Sequence, residues 1–129
     1  MESLAKKIRV LIVDDSKFMR DLLEKILSTD PDILIVGKAS DPYVARDLIK
    51  KVCPHVLTLD IMMPGMDGFE VMRELKRDHD LSKIPVVIVS AKPKSTMIEL
   101  FGPEGISGYI SKPFEAKEML QVIKEILGT

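Results

Sequence analysis

Short runs in which nearly every residue is apolar alternate along this chain with longer stretches where apolar residues recur every three or four positions. The runs fall at about Ile8–Val13, Ile33–Val36, Val56–Leu59, Val86–Val89 and Tyr109–Ile110. Their length predicts strands, and the unbroken apolar character of the first, third and fourth predicts strands covered on both faces. After Ser16, apolar residues stand at Met19, Leu22, Leu23, Ile26 and Leu27, with Lys17, Arg20, Asp21, Glu24 and Lys25 on the other side. That is the spacing of an amphipathic helix. Asp41-Pro42 reads as an N-cap followed by proline at the first helical position, and Val44, Ala45, Leu48 and Ile49 continue an apolar stripe. Asp67 is expected to cap a third helix through Met72 and Leu75. A fourth helix, at about Ser95–Phe101, is cut short by Gly102-Pro103. The last is expected at about Glu115–Leu127, with Leu120, Ile123 and Leu127 on its stripe.

Five β/α units in succession imply an α/β fold: a doubly wound parallel sheet of five strands, with helices on both faces and right-handed crossovers. The 129 residues suit a single domain and leave no room for a second. Of the doubly wound orders, the flavodoxin-like 2-1-3-4-5 fits five strands, and it puts strands 1, 3 and 4 side by side in the middle.

Polar residues stand where the apolar runs stop: Asp14-Asp15, Asp60, Ser90 and Lys112. An open parallel sheet gathers such positions along its carboxyl edge, where ligands bind. With strands ~4.8 Å apart, Lys112 starts roughly 10 Å from Asp60, a gap that a lysine side chain crosses in large part. Three crowded carboxylates repel one another and raise each other's pKa unless a cation joins them. Hard oxygen donors with open positions favour Mg²⁺. A metal-held carboxylate is a competent nucleophile towards a phosphoryl donor, and phosphoryl transfer needs mainly positioning and charge neutralisation. Asp60, alone on the central strand opposite the paired acids, is the best nucleophile, with Lys112 and Ser90 to receive the phosphoryl oxygens.

Composition narrows the function class. Apolar residues make up 46% and charged residues 30%, and the net charge of −1 comes from interspersed acids and bases. That leaves no electrostatic footprint for nucleic acid or a membrane surface. The single cysteine, Cys53, excludes an internal disulfide and is expected to be a buried or half-buried small hydrophobe without a redox role. No apolar run approaches a membrane span and MESLAKK lacks a signal core, so a cytoplasmic location is expected.

LIVDDSKFMR, LTLDIMMPGMDGFE, VVIVSAK and GYISKPF resemble, in order and spacing and across essentially the whole chain, the motifs of response-regulator receiver domains. DDSKFMR and DPYVARDLIKKVCPHVLTLD look most like chemotaxis receivers of the CheY and CheB kind, the second stretch closer to CheB. The resemblance implies that Asp60 is the phosphoacceptor and that a histidine kinase is the donor. It implies that Asp14, Asp15, Asp60 and the backbone carbonyl of Met62 bind Mg²⁺. Ser90 matches the switch hydroxyl, Tyr109 the switch aromatic, and Lys112 the conserved-type lysine before Pro113. It implies a signalling switch rather than an enzyme, apart from self-catalysed phosphoryl transfer to and hydrolysis from Asp60. The expectation is a single receiver over residues 1–129 without an output domain. Phosphorylation would reshape the face of the fourth helix, fifth strand and fifth helix for a downstream protein, such as the flagellar motor switch.

Each piece has a plainer reading alone. Asp14-Asp15-Ser16 caps a helix, Ser90 is a loop hydroxyl, Tyr109 is packing and Lys112-Pro113 is a turn. Their joint occurrence at successive strands outweighs those readings. The methionines Met62, Met63, Met66 and Met72 read as loop and core packing. Met119, Val122 and Ile126 broaden the apolar face of the last helix, either towards the core or as a partner surface. Met62 and Lys92, each two residues beyond a site residue, stand where receivers vary, and both predict slow dephosphorylation. Other outputs are a phosphorelay intermediate or a phosphate sink. Of rivals outside the family, a haloacid-dehalogenase-like phosphatase needs Asp-x-Asp where Asp14-Asp15 stands. A flavodoxin-like cofactor carrier needs a hydroxyl-rich phosphate loop where DDSKF stands.

Overall fold

The computed structural model describes residues 7–60, 62–63, 66–78, 81–90, 95, 99, 107–112 and 114–126. A parallel sheet organises them: β1 (Ile8–Val13), β2 (Ile33–Ala39), β3 (Val56–Leu59), β4 (Val86–Ser90) and β5 (Gly108–Ser111), in spatial order β2-β1-β3-β4-β5. This is the expected 2-1-3-4-5 arrangement. Among the described residues, four continuous α-helices flank it: α1 (Lys17–Leu27), α2 (Pro42–Val52), α3 (Gly68–Arg77) and α4 (Ala116–Ile126). The helix expected at about Ser95–Phe101 lies outside the described residues, except that Ser95 and Glu99 are helical.

Side chains alternate across the sheet, so its two faces carry two cores. Leu11, Val13, Leu57, Leu59 and Ile88 pack with Ala45 and Ile49 of α2 and with Met72 and Leu75 of α3. Val10, Ile12, Val56, Val87 and Val89 pack on the other face with Leu23 and Leu27 of α1 and with Met119 and Ile123 of α4. β3 and β4 are buried along their whole length, as expected of strands covered on both sides.

The helix starts follow local chemistry. Ser16 caps α1, its hydroxyl accepting from the Met19 amide at 3.2 Å. Asp41 caps α2 by accepting from the amides of Tyr43 and Val44 at 2.9 and 2.8 Å. The Asp41 cap matches the sequence reading, and the Ser16 cap shows that the plainer reading of Asp14-Asp15-Ser16 holds for its last residue alongside the site. α3 starts at Gly68, directly after Asp67, whose backbone closes a two-stranded hairpin of Met62–Met63 and Met66–Asp67 that the sequence reading did not anticipate. β2 also runs three residues beyond its expected end at Val36. A register shift between Val10 and Leu11 lets Gly37, Lys38 and Ala39 go on pairing with β1.

Other expectations are corrected. Cys53 is exposed: it ends α2 in the left-handed conformation at φ 48°. Of the two readings of the last helix's broad face, the core-facing one holds: Met119 is at 0% exposure, and Val122 and Ile126 pack against the same core. Val44 falls off the buried side of α2 and is exposed, as is Tyr43. Gly108 lets α4 approach β5 closely, since a Cβ there would lie 2.7 Å from Ile126 Cδ1 and 3.0 Å from Val122 Cγ1.

Candidate functional site

The last hydrogen bonds of the ladders bring the polar residues to one edge. Asp14 donates its amide to the Ala39 carbonyl at 3.1 Å, which continues β1 one residue past its apolar run. The Asp60 amide reaches the Val13 carbonyl at 3.2 Å, and the Lys112 amide reaches the Ser90 carbonyl at 2.9 Å. Strands β1, β3 and β4 therefore end side by side in Asp14, Asp60 and Ser90. Asp14 is 1% exposed, Asp60 7% and Ser90 0%, unusual burial for the two acidic groups.

Lys112 leans across from β5 as the spacing predicted. Its Nζ donates to Asp60 Oδ2 at 2.8 Å and lies 3.9 Å from Asp14 Oδ2. The Asp14 carboxylate is clamped on one side only. Its Oδ1 accepts from the Ser16 amide at 2.9 Å, while Oδ2 is buried and has no hydrogen-bond partner. Burial is the main cause that raises the Asp14 pKa above its ordinary value. The Ser16 amide opposes it, the negative charges of Asp60 and Asp15 add to it, and Lys112 works against them. Asp15, half-buried, is thus close enough to act on Asp14 electrostatically.

Tyr109 is half-buried against the core beside α2 and α3, and its hydroxyl donates to the Ser90 carbonyl at 3.5 Å, a long hydrogen bond. The Ser90 carbonyl therefore receives both Tyr109 and the Lys112 amide. Met62 lies in the first arm of the hairpin, two residues past Asp60. Lys92 and Pro113 lie outside the described residues.

Among the described residues, no three carboxylate, imidazole or thiol side chains converge closely enough to hold a metal ion unaided. The donor chemistry nonetheless fits a hard divalent cation. A buried carboxylate oxygen without a hydrogen bond stands beside two further carboxylates, and a cation held partly by backbone oxygen and water would relieve their repulsion. Sequence reasoning missed Arg20, which it placed on the solvated side of α1. Arg20 Nη1 instead donates to the Asp14 carbonyl at 2.7 Å. No spacing rule signals a contact from a helix back to the preceding strand end.

The match to known proteins is decisive for the family. The model of the response regulator receiver domain covers residues 10–124. The chain belongs to the response regulator receiver family. A protein-glutamate methylesterase/protein-glutamine glutaminase of Syntrophotalea carbinolica is 44% identical over 110 residues, which are 85% of this receiver and 31% of that protein. The receiver thus spans about a third of the length of the curated relatives it matches. The response regulator domain of Thermotoga maritima CheB superposes with a TM-score of 0.79 at 31% identity, covering 95% of this chain and 98% of that one. CheY of Borrelia burgdorferi, solved in a CheX-CheY-BeF3-Mg²⁺ complex, superposes with a TM-score of 0.83 at 27% identity, covering 98% and 94%. No described helix is long and apolar enough to cross a membrane.

Proposed function

We propose that this receiver is a phosphorylation switch of a chemotaxis two-component system, in which Asp60 accepts a phosphoryl group from a histidine kinase. The observation that carries the reading is the Lys112–Asp60–Asp14 cluster at the carboxyl edge of the sheet. Chemotaxis is favoured by the 44% identity to a protein-glutamate methylesterase and by the fold match to a CheB receiver at 31% identity. A downstream protein reads the phosphorylated state.

The receiver resemblance suggests the roles, and the placement of Asp14, Asp60 and Lys112 supports them. Asp14, Asp15, Asp60 and the Met62 carbonyl would hold Mg²⁺, which when bound neutralises charge on the phosphoryl oxygens. An Asp60 carboxylate oxygen attacks phosphorus and the donor leaves, so that an acyl phosphate forms on Asp60. Lys112 already sits on Asp60 and follows the new negative charge onto a phosphoryl oxygen. The Ser90 side chain, fully buried one strand away, supplies a hydroxyl to another. Because the Ser90 carbonyl holds both Tyr109 and Lys112, displacement of Ser90 is transmitted to β5 and to the Tyr109 ring. Amide chemical shifts with and without acetyl phosphate and Mg²⁺ test the switch. Changes at Ser90, Tyr109 and α4 are expected, and unchanged shifts there would refute it.

A further inference from the structure

We propose that Arg20 is a positioning residue for the acid pair: by holding the Asp14 carbonyl it fixes the Asp14–Asp15 peptide, and so aims both carboxylates at a divalent cation. The inference rests on the receiver reading above.

Asp14 lies just beyond the last residue of β1, so its own carbonyl faces the start of α1 instead of a continuing ladder. Arg20, in the second turn of α1, fills that place with Nη1 at 2.7 Å, in a half-buried contact. Three other bonds complete the frame. The Asp14 amide is tied to Ala39 at 3.1 Å, Oδ1 to the Ser16 amide at 2.9 Å, and the Arg20 amide to the Ser16 carbonyl at 2.9 Å. The carboxylate oxygen left outside this frame is Oδ2, buried and without a hydrogen bond.

A peptide unit is planar, so fixing the Asp14 carbonyl also fixes the Asp15 amide and the direction in which the Asp15 Cα leaves it. Rotation of that one plane would swing the Asp15 carboxylate relative to Asp14 and Asp60. The charge of Arg20 acts in the opposite sense, because a guanidinium near a dication repels it. Loss of Arg20 therefore has two effects of opposite sign on metal affinity. Electrostatics alone tightens binding, whereas lost positioning weakens it.

Mg²⁺ titration of the full chain, followed by amide chemical shifts, separates them. Arg20→Met, with neither donor nor charge, is expected to weaken Mg²⁺ by about tenfold, as loss of outer contacts to metal ligands commonly does. Arg20→Lys, which keeps a cationic donor, is expected to stay within about threefold of wild type. Equal or tighter binding by Arg20→Met overturns the positioning role and leaves the receiver chemistry standing. Failure of the wild type to bind Mg²⁺ overturns both. Should Arg20→Met not fold, the side-chain Nε–H of Arg20 in the wild type gives the answer. Slow guanidinium rotation, with a shift that saturates together with the Asp15 amide, supports the proposal, and a freely rotating guanidinium indifferent to Mg²⁺ overturns it.

Discussion

Lys112 Nζ sits 2.8 Å from Asp60 Oδ2, a cation from the edge strand resting on a carboxylate that the central strand buries. The lysine side chain is 23% exposed and that of its partner 8%, so water screens the pair only in part. Removing one member leaves the other charge buried beside Asp14. Lys112→Met is expected to destabilise the metal-free protein by about 2–3 kcal/mol, below the range for fully buried pairs because the lysine is partly solvated. Urea unfolding measures this. Mg²⁺ should stabilise the variant more than the wild type, because it relieves a repulsion that Lys112 otherwise offsets; equal gains would contradict the account.

Asp14 gives a pH dependence of unusual sign. Its pKa is raised, chiefly by burial, so the folded state holds a proton that the unfolded state has already released. Between the ordinary carboxylate pKa and the raised one, stability falls as pH rises. Asp14→Asn removes that penalty. The variant is expected to melt higher than wild type at neutral pH without Mg²⁺, with a flatter pH profile above the ordinary carboxylate range. It is also expected to lose stabilisation by Mg²⁺.

The acid limb belongs to carboxylates held below their ordinary pKa, Asp21 beside Lys17 and Lys38 and the better buried Asp30. Lys124 of α4 reaches Asp30, after α1, at 2.6 Å. That ammonium and the Asp32 amide hold the Asp30 carboxyl below its ordinary value, and Asp30 in turn raises Lys124. A depressed carboxylate contributes stability above its unfolded pKa and loses it as pH falls through the folded one. Lysine's contribution is lost as pH rises through its own raised value. Lys124→Met is therefore expected to lower the melting temperature near neutrality while matching wild type in strong acid. A constant difference down to strong acid would count against the pair.

Cys53 stands at φ 48° and ψ 66°, where a Cβ is crowded by its own backbone. The Arg9 guanidinium donates to the Val52 and Cys53 carbonyls and secures the end of α2, to which the thiol adds only a weak 3.7 Å hydrogen bond to the Lys50 carbonyl. Cys53→Gly is expected to stabilise the fold by about 0.5–1 kcal/mol, the left-handed strain exceeding the entropy glycine gains when unfolded. Chemical denaturation gives the sign. The exposed thiol of the wild type should also react stoichiometrically with a thiol reagent without unfolding.

The sheet order and the convergence of Asp14, Asp60, Ser90 and Lys112 were legible because strand ends are written in single residues, at the point where apolar runs stop. Ser16 and Asp41 were legible as caps for a similar reason, since a cap is a local hydrogen bond. Cys53 misled because apolar character argues for burial, whereas its position was set by the turn that ends α2. Met119 was ambiguous because its stripe alone does not say how wide a face the sheet covers; Gly108 lets α4 settle deep enough to bury it. The hairpin at Met62–Asp67 left no periodicity to read, its arms being two residues each. Arg20 was hidden because its partner is a main-chain carbonyl, which no side-chain pattern records.

The central claim is that Asp60 becomes covalently phosphorylated. Incubation with acetyl phosphate and Mg²⁺, followed by intact mass of the wild type and Asp60→Asn, tests it most directly. A single added phosphoryl mass on the wild type, absent from Asp60→Asn and lost when Mg²⁺ is chelated, is the predicted result. A phosphoryl adduct on Asp60→Asn as well, or turnover of the donor with no adduct on the wild type, would contradict it.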